Sequence, residues 1–533
     1  MFATVANSAW FASCIPEYLR FRRGLSRVRE EQEQVLFEIL RKNRESEFGR
    51  RHEFATIRTA RDYQQRIPLR DYEDYRQLVN RIAEGDSQVL TEEPVRLFEP
   101  TSGSVGTTKW IPYTSSLQNE FQRGIRAWVA DLFLNTPDLL HGPAYWSVSP
   151  SEDCEQITRS GIRVGFADDS EYVGGVQRRL VQAVMAVPSH VRKLRDLDAF
   201  WYTTLLHLVR RPDLRFISVW SPSFLTLLMD RLPEFGDRLV REAPEIKRAL
   251  CAGTAAERHV LLWPRLRMIS CWTESNSALA ASKLAALFPQ TRICGKGLIA
   301  TEGFVSFPWE ARGASVLAIR SHFLEFLPVD SNDNSDTEHP QLAHELEPGQ
   351  RYSVVLTTGG GFYRYLLGDL IEVVGREQQC PLVRFLGRGR VMDWCGEKLH
   401  EAQVLRVLTE AFSALHVAPS FAMLACDTTD VIPAYVLYLE AAGSEDRLVE
   451  IAAAVESGLR ESFHYNYARR LGQLGQLRIF AAQNAEASYV SACIARGQRA
   501  GNVKPVSLDH RAGWTARFHG RFVETTAAVG SAP

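Results

Sequence analysis

The sequence predicts an α/β protein with a large N-terminal domain and a small C-terminal α/β domain. The chain has 533 residues and 45% hydrophobic content, which is enough for a large core. Short β-type runs alternate with apolar helical segments over residues 115–300, and a second such series follows a glycine-rich, charged stretch at 385–399. We place the first domain at 1–388 and the second at 389–533, with a hinge at 388–393.

The first elements along the chain lead to a loop rich in glycine and hydroxyl residues. Apolar residues recur at helical spacing in Arg27–Glu45 and in Leu117–Leu134, which predicts a helix in each. Phe98-Glu99-Pro100 is typical of a strand that enters the loop. A strand before a loop and a helix after it is the geometry in which backbone amides point at an anion.

This loop is a candidate phosphate site. Glycines let the backbone turn its N–H groups inward, hydroxyls add donors without bulk, and a terminal lysine adds a mobile positive charge. The spacing differs from that of the ordinary P-loop, and a plain surface turn is the alternative. The residues that would hold the phosphates are Thr101, Ser102, Gly103, Ser104, Gly106, Thr107 and Lys109.

The middle of the chain predicts a mostly parallel sheet covered by helices. Phe216–Trp220 and Arg267–Trp272 are typical of buried strands, and Phe224–Leu232 and Ala278–Leu287 of helices. Ligands in such sheets bind at the carboxyl ends of the strands. Four aromatic residues could therefore line a pocket for an organic substrate or belong to the core: Trp128, Trp220, Phe224 and Trp272.

Two further stretches carry carboxylates beside glycines. Thr301-Glu302-Gly303 suits Mg²⁺ next to a nucleotide, because Mg²⁺ takes one or two protein oxygens and completes its shell with phosphate and water. In the other stretch, Gly359–Gly361 follows a strand, and Gly368-Asp369 stands at the head of the predicted strand Leu370–Val374. Asp369 could accept hydrogen bonds from both ribose hydroxyls. Simple turns are the alternative for both carboxylates.

The C-terminal series predicts a small domain of about 140 residues, a size that can fold alone. Its pattern contains both short β-type runs and amphipathic helices. The predicted elements are helices at Glu401–Leu415 and Arg447–Phe463 and strands at Phe421–Ala425, Ala434–Leu439 and Leu477–Ala481.

Composition excludes several functional classes. The formal net charge is -1, so nothing electrostatic favours nucleic acid or an anionic membrane surface. The nine cysteines form no CxxC pair, which favours reduced thiols in the cytoplasm over disulfides or a zinc site. Met1–Arg23 does not resemble a signal peptide, and no stretch reaches the roughly 18 apolar residues of a membrane helix.

Lysine is rare in this chain. Only eight of the 62 basic residues are lysine, so a retained lysine indicates a place where a compact ammonium on a flexible stem is required. Three of the eight lie in motif-like surroundings: Lys109, Lys398 and Lys504. For most of the other five we expect a solvated surface position, which is also the alternative for Lys504.

These motifs, in this order, resemble the adenylate-forming superfamily of acyl-CoA synthetases, luciferases and peptide-synthetase adenylation domains. The sequence is more similar to a bacterial-type member of the Gretchen Hagen 3 family of acyl-acid amido synthetases, and this resemblance covers most of the chain. It rests on Ser46–Arg50, Ile67-Pro68 with Asp71-Tyr72, Phe323–Pro328, Phe362–Tyr365 before Gly368-Asp369, and Gly396–Leu399 with Glu401.

The resemblance implies a large multi-sheet N-terminal domain of the firefly-luciferase-like type and a small mobile C-terminal domain. It also implies roles for individual residues. Ser102 to Lys109 would cradle the phosphates, Thr301 and Glu302 would serve the α-phosphate and Mg²⁺, and Asp369 would hold the ribose. Arg388 would lie at the hinge, Lys398 near the adenylate, and Lys504 in a lysine-bearing loop that acts in adenylation.

The implied reaction is ATP- and Mg²⁺-dependent activation of a carboxylic acid followed by transfer to an amine, with an amino acid favoured. Thioester formation with coenzyme A or a carrier protein is the runner-up, and a catalytically silent nucleotide-binding regulator is a further alternative. The chain departs from the plant members of the family in two places: its phosphate loop is one residue shorter and lacks their second serine, and Leu366 stands where they have arginine.

Overall fold

The computed structural model describes residues 2–101, 109–146, 156–166, 175–194, 196–329, 339–388, 391–392, 394, 397, 399–427, 432–496, 498 and 503–523. The chain divides into two compact units. The first comprises Met1–Trp220, Leu228–Trp272 and Leu287–Leu386, and the second Ser221–Leu227, Thr273–Ala286 and Gly387–Pro533. No helix among the described residues is long and apolar enough to cross a membrane.

Capping side chains set the starts of several of the helices at the beginning of the first unit. Thr59 and Asp71 each complete a capping box, and Thr114 Oγ1 accepts a hydrogen bond from the N–H of Leu117. The helices up to the first long connection are α1 (Phe2–Gly24), α2 (Val28–Lys42), α3 (Glu47–Arg51), α4 (Ala60–Arg66), α5 (Tyr72–Glu84) and α6 (Ser115–Asn135). The predicted helices over Arg27–Glu45 and Leu117–Leu134 are confirmed as α2 and α6.

A four-stranded parallel sheet forms in the middle of the chain, in the order β3-β6-β7-β8. Its strands are β3 (Ala144–Trp146), β6 (Phe216–Ser218), β7 (Met268–Ser270) and β8 (Arg292–Cys294). The helices in this stretch of the chain are α7 (Gly175–Val184), α8 (Leu197–Val209), α9 (Pro222–Asp230), α10 (Gly236–Glu242), α11 (Lys247–Leu250), α12 (Ala255–Leu262) and α13 (Ala278–Leu287). The parallel sheet predicted for this region is confirmed.

A seven-stranded sheet, which the sequence did not predict, is the largest in the first unit. Its order is β12-β11-β13-β14-β15-β10-β9, and β11, β13 and β14 pair antiparallel. The strands are β9 (Ser306–Trp309), β10 (Ala314–Leu317), β11 (Phe323–Pro328), β12 (Gln341–Leu342), β13 (Arg351–Thr357), β14 (Tyr365–Glu377) and β15 (Cys380–Arg388). A smaller sheet has the order β2-β1-β5-β4, built from β1 (Leu97–Thr101), β2 (Lys109–Tyr113), β4 (Gln156–Ile157) and β5 (Arg163–Val164).

The second unit is built on a mixed five-stranded sheet in the order β21-β18-β19-β20-β22. Alternate residues of its strands face two separate apolar clusters, as strand pleating requires: Leu424 belongs to one cluster and Met423 to the other. The strands of the second unit are β16 (Val391–Met392), β17 (Leu399–His400), β18 (Phe421–Asp427), β19 (Ala434–Glu440), β20 (Arg478–Gln483), β21 (Leu508–Asp509) and β22 (His519–Val523). The helices of the second unit after residue 400 are α14 (Glu401–Ala414), α15 (Glu445–Leu459), α16 (Phe463–Arg470) and α17 (Ala485–Ile494).

Candidate functional site

The predicted phosphate loop joins two antiparallel strands. Thr101 at the end of β1 is the register partner of Lys109 at the start of β2, so the segment between them closes a hairpin. The helix predicted after Ser115 is α6, and the strand β2, which the sequence did not predict, lies between the loop and this helix. The predicted phosphate-binding residues between the two strands lie outside the described part of the chain: Ser102, Gly103, Ser104, Gly106 and Thr107.

Lys109 and Glu302 converge on the hydroxyl of Tyr365. The Nζ of Lys109 lies 3.4 Å from this oxygen, and the hydroxyl in turn donates to Glu302 Oε1 at 3.5 Å. Glu302 is buried, whereas Lys109 is half-buried. The structure therefore places the lysine that closes the predicted phosphate loop next to the carboxylate predicted to bind Mg²⁺.

Glu302 lies at the tip of a tight turn. Ala300 and Gly303 exchange backbone hydrogen bonds of 3.0 and 3.3 Å across it. The turn is also tied to β2, because the hydroxyl of Tyr113 donates to the carbonyl of Thr301 at 2.6 Å. Thr301, Glu302 and Gly303 thus form a turn, as the alternative interpretation had it, and the turn holds its carboxylate against Tyr365.

The ring of Tyr72 packs against the ammonium of Lys109. The ammonium lies 5.3 Å from the centre of the Tyr72 ring, which is within the range of a cation–π contact. The Tyr72 hydroxyl accepts from the backbone N–H of Trp110 at 2.6 Å and donates to the same residue's carbonyl at 3.2 Å. Burial raises the pKa of Tyr72, so its hydroxyl stays protonated and keeps both hydrogen bonds.

Asp369 lies inside a strand and not at its start. We expected the strand to begin after Gly368-Asp369, but β14 already begins at Tyr365, and Gly368 is accommodated with a φ of +77°. Asp369 is buried and lies four residues beyond Tyr365, in a part of β14 whose pairing with β13 shifts register. The predicted ribose ligand and the Lys109–Tyr365–Glu302 chain therefore belong to the same strand region.

The remaining predicted residues belong to the second unit. Arg388 ends β15, but its side chain lies outside the described part of the chain, as does all of Lys398. Lys504 is exposed, and its carbonyl accepts a hydrogen bond from the hydroxyl of Tyr489 at 2.8 Å. The roles given to Arg388, Lys398 and Lys504 stay predictions.

The four aromatic residues predicted for a pocket or the core divide into two kinds. Trp128 and Phe224 are buried, as core residues are. Trp220 and Trp272 follow β6 and β7, keep part of their surface exposed, and have ring centres 5.8 Å apart. The pocket interpretation therefore stays a prediction, and Trp220 and Trp272 are its best candidates.

Sequence reasoning missed the tyrosines that connect the site. Tyr72, Tyr113 and Tyr365 join β2 to the Glu302 turn and to β14, yet none was given a role. Tyr72 and Tyr365 stand in motifs that carried the resemblance, so position in a shared motif was the available signal. The sequence has 16 tyrosines, and nothing local distinguishes Tyr113 among them.

Comparison with known proteins identifies the family of the chain. Three domain profiles match the chain: the GH3 family N-terminal domain at residues 18–246, the central domain at 315–388 and the C-terminal domain at 402–508. A probable indole-3-acetic acid-amido synthetase GH3.4 of Oryza sativa subsp. japonica is 26% identical over 557 residues, covering 90% of this chain and 86% of that protein. The jasmonoyl--L-amino acid synthetase JAR4 of Nicotiana attenuata is 22% identical, covering 68% and 69%.

The fold is also that of a solved relative. The structure of the GH3.15 acyl acid amido synthetase matches with a TM-score of 0.80 at 18% identity and covers 95% of this chain and 97% of its own. The match spans both units described above, and the three profiles follow one another along the sequence in the same N-terminal, central and C-terminal order. The chain therefore belongs to the GH3 family and has the fold of an acyl acid amido synthetase.

Proposed function

We propose that this GH3 protein is a ligase that converts a carboxylic acid to acyl-AMP with ATP and then transfers the acyl group to an amine. The products are an amide, AMP and pyrophosphate, and the amine is an amino acid. The observation that carries this proposal is the convergence of Lys109 and Glu302 on Tyr365 beside the hairpin loop. Membership of a family whose named relatives include amido synthetases gives it further support.

The reaction explains why a cation is needed here. An amine does not displace hydroxide from a carboxylate, so the acid must first gain a better leaving group. Attack of the carboxylate on the α-phosphate brings an anion against a polyanion, and catalysis requires fixed positive charge where negative charge develops. In our proposal Lys109 supplies that charge, and Thr301 contributes a donor to the α-phosphate.

The residues present fit Mg²⁺. Among the described residues no group of three or more His, Cys, Asp or Glu side chains is arranged so that it could coordinate a metal ion. Mg²⁺ beside a nucleotide needs only one or two protein carboxylates, so the single buried carboxylate of Glu302 is sufficient. When bound there, Mg²⁺ would neutralise phosphate charge, while Tyr365 orients the Glu302 carboxylate.

We extend the proposal to the residues whose roles rest on the resemblance. Ser102 to Thr107 cradle the phosphates, Asp369 accepts from the ribose hydroxyls, and Lys398 acts near the adenylate. The hinge includes Arg388, and Lys504 acts in the adenylation step. Asp369 is buried and lies on β14, the strand that begins at Tyr365, and this position supports its part of the assignment.

Acid screening tests the function directly. The protein is incubated with ATP, Mg²⁺ and single carboxylic acids, pyrophosphate release is measured, and hydroxylamine traps the activated acyl group as a hydroxamate. Active acids are then mixed with amino acids, and the products are identified by mass spectrometry. We expect an acid-dependent hydroxamate and an amide that forms without added thiol. An absolute requirement for coenzyme A would contradict the amide assignment, and ATP binding without pyrophosphate release would contradict catalysis.

A further inference from the structure

Glu120 and His322 form a buried pair to which neither the motifs nor the proposed function gives a role. Glu120 lies on α6 and His322 directly before β11, and their side chains are only 5% and 0% exposed. The Nδ1 of His322 lies 2.8 Å from Glu120 Oε2. Because a carboxylate only accepts, the pair fixes the imidazole tautomer with its proton on Nδ1.

Glu120 also holds the glycine turn that precedes β14. Both of its carboxylate oxygens accept from the backbone N–H of Gly359, each at 3.0 Å. The carbonyl of the same residue accepts from Thr114 Oγ1 at 2.8 Å. A Cβ on Gly359 would lie 2.4 Å from Glu120 Oε1, so this position requires glycine. The N-terminal half of α6 therefore fixes the backbone that leads to Tyr365.

His322 contacts the turn that carries Glu302. A Cβ placed on Gly303 would lie 3.2 Å from Cδ2 and 3.3 Å from Nε2 of the imidazole, so the ring lies directly against this glycine. The Nε2 finds no hydrogen-bond partner among the described residues, and the ring also packs edge-on against Phe121. The imidazole ring thus contacts Gly303 by van der Waals packing, while its Nδ1 is hydrogen-bonded to Glu120.

These contacts and those of Tyr365 form a closed ring of interactions. Glu120 holds Gly359, the chain runs on to Tyr365, Tyr365 reaches Glu302, and His322 ties the Glu302 turn back to Glu120. We infer that Glu120 and His322 are positioning residues. They hold the Glu302 carboxylate within hydrogen-bonding distance of Tyr365, which also contacts Lys109, for adenylation. The inference rests on the proposed function, since it concerns the same carboxylate.

The test compares amide replacements that keep different atoms of the imidazole. H322N places an amide nitrogen near Nδ1 and preserves the hydrogen bond to Glu120, whereas H322Q places it near Nε2 and H322L has no donor. The matched control is H259L: His259 is also buried, its Nδ1 bonds the carbonyl of Leu287, and its ring stacks on Phe288. H259L should lower the unfolding midpoint without changing nucleotide binding or turnover.

Two readouts separate positioning from folding. The first is the factor by which Mg²⁺ increases ATP affinity, measured by titration calorimetry with and without the metal. The second is kcat of acid-dependent pyrophosphate release. In H322L and H322Q we expect kcat to fall roughly 10²-fold and the Mg²⁺ factor to fall with it, because small misplacements of a reacting constellation have effects of this size. Metal-free ATP affinity should not change, and H322N should stay close to the wild type in both readouts.

The outcomes distinguish the inference from the function on which it rests. A wild-type protein that binds ATP without any Mg²⁺ effect, and that activates no acid, would refute the proposed function and this inference together. An active wild type with the same kcat and Mg²⁺ factor in H322L would refute the inference alone. If H322L does not fold, H322N and H322Q decide, because equal behaviour of these two amides would show that the Nδ1 contact to Glu120 has no positioning role.

Discussion

Arg364, the residue before Tyr365, forms a buried ion pair with Glu325. Removal of this ion pair gives the sharpest stability prediction. Their side chains are only 5% and 1% exposed, and Nε of Arg364 lies 3.1 and 3.2 Å from the two carboxylate oxygens. The Nη1 of Arg364 donates to the carbonyls of Gln64 and Ile67 at 2.6 and 2.5 Å. The Gln64 side-chain amide donates to the same carboxylate at 2.9 Å.

The change is R364M, which keeps the length of the side chain and removes its charge. Glu325 then stays buried with the Gln64 amide but without a cation, and breaking a buried pair in this way costs about 3–5 kcal/mol. The double variant R364M/E325L also removes the stranded carboxylate. It should therefore be more stable than R364M by about 2 kcal/mol, even though donors and acceptors around it lose partners.

Urea unfolding followed by tryptophan fluorescence measures these differences. Nine of the 11 tryptophans lie in the first unit, so the signal reports mainly on the unit that contains the pair. The single variants and the double variant complete a mutant cycle whose coupling energy isolates the pair. A loss below about 1 kcal/mol in R364M, or a double variant less stable than R364M, would refute the argument that a stranded buried charge dominates.

Four further predictions concern the site and the pH response. E302A and D369A should abolish acid-dependent pyrophosphate release while the protein still unfolds cooperatively, and unchanged turnover in either would contradict the assignment. A general chelator should abolish activity and a zinc-selective chelator should not; stoichiometric tightly bound zinc would be the opposing result. Burial raises the pKa of Asp131 to about 6, so the folded state binds this proton more readily than the unfolded chain. The unfolding free energy of the wild type should therefore rise relative to D131N by about 1 kcal/mol as pH falls from 7 to 5, and a fall would contradict the sign. K504A should slow acyl-AMP formation by roughly 10²-fold with little effect on ATP affinity, yet convert preformed acyl-AMP to product; equal losses in both half-reactions would mean that Lys504 is structural.

Local periodicity was sufficient for several helices and for the parallel sheet. The helix predicted at Glu401–Leu415 is α14, and the strands predicted around Phe216 and Met268 are β6 and β7. Most neighbouring strands of the seven-stranded sheet are close in sequence, but the sheet also pairs β10 with the distant β15, and periodicity does not encode that pairing. Gly368 illustrates the difficulty: glycine beside aspartate indicates a break, yet the positive φ of this glycine lets β14 continue through it.

Candidate site residues could be named from the sequence where their chemistry is concentrated in a short motif. Lys109 and Glu302 stand beside glycine and hydroxyl residues and Asp369 follows a glycine, and this local context singled them out. Glu120 and His322 could not be found in the same way, because they are 202 residues apart and the sequence around each is ordinary. A pair that acts by positioning is defined by its partners in the fold, which periodicity and motif spacing do not encode.

Lys296 shows that a lysine can be retained in this chain for a structural reason. We expected most of the five lysines outside the motif-like surroundings to be solvated; Lys42, Lys193, Lys247 and Lys283 are exposed, but Lys296 is buried. Its Nζ lies 2.7 Å from Ser218 Oγ and 5.1 and 5.5 Å from the ring centres of Trp220 and Trp128. An ammonium is small enough to occupy this space between two indoles, whereas a planar guanidinium requires a wider one. The retained lysine at the carboxyl end of β8 is therefore explained by the shape of its surroundings, without any need for contact with substrate.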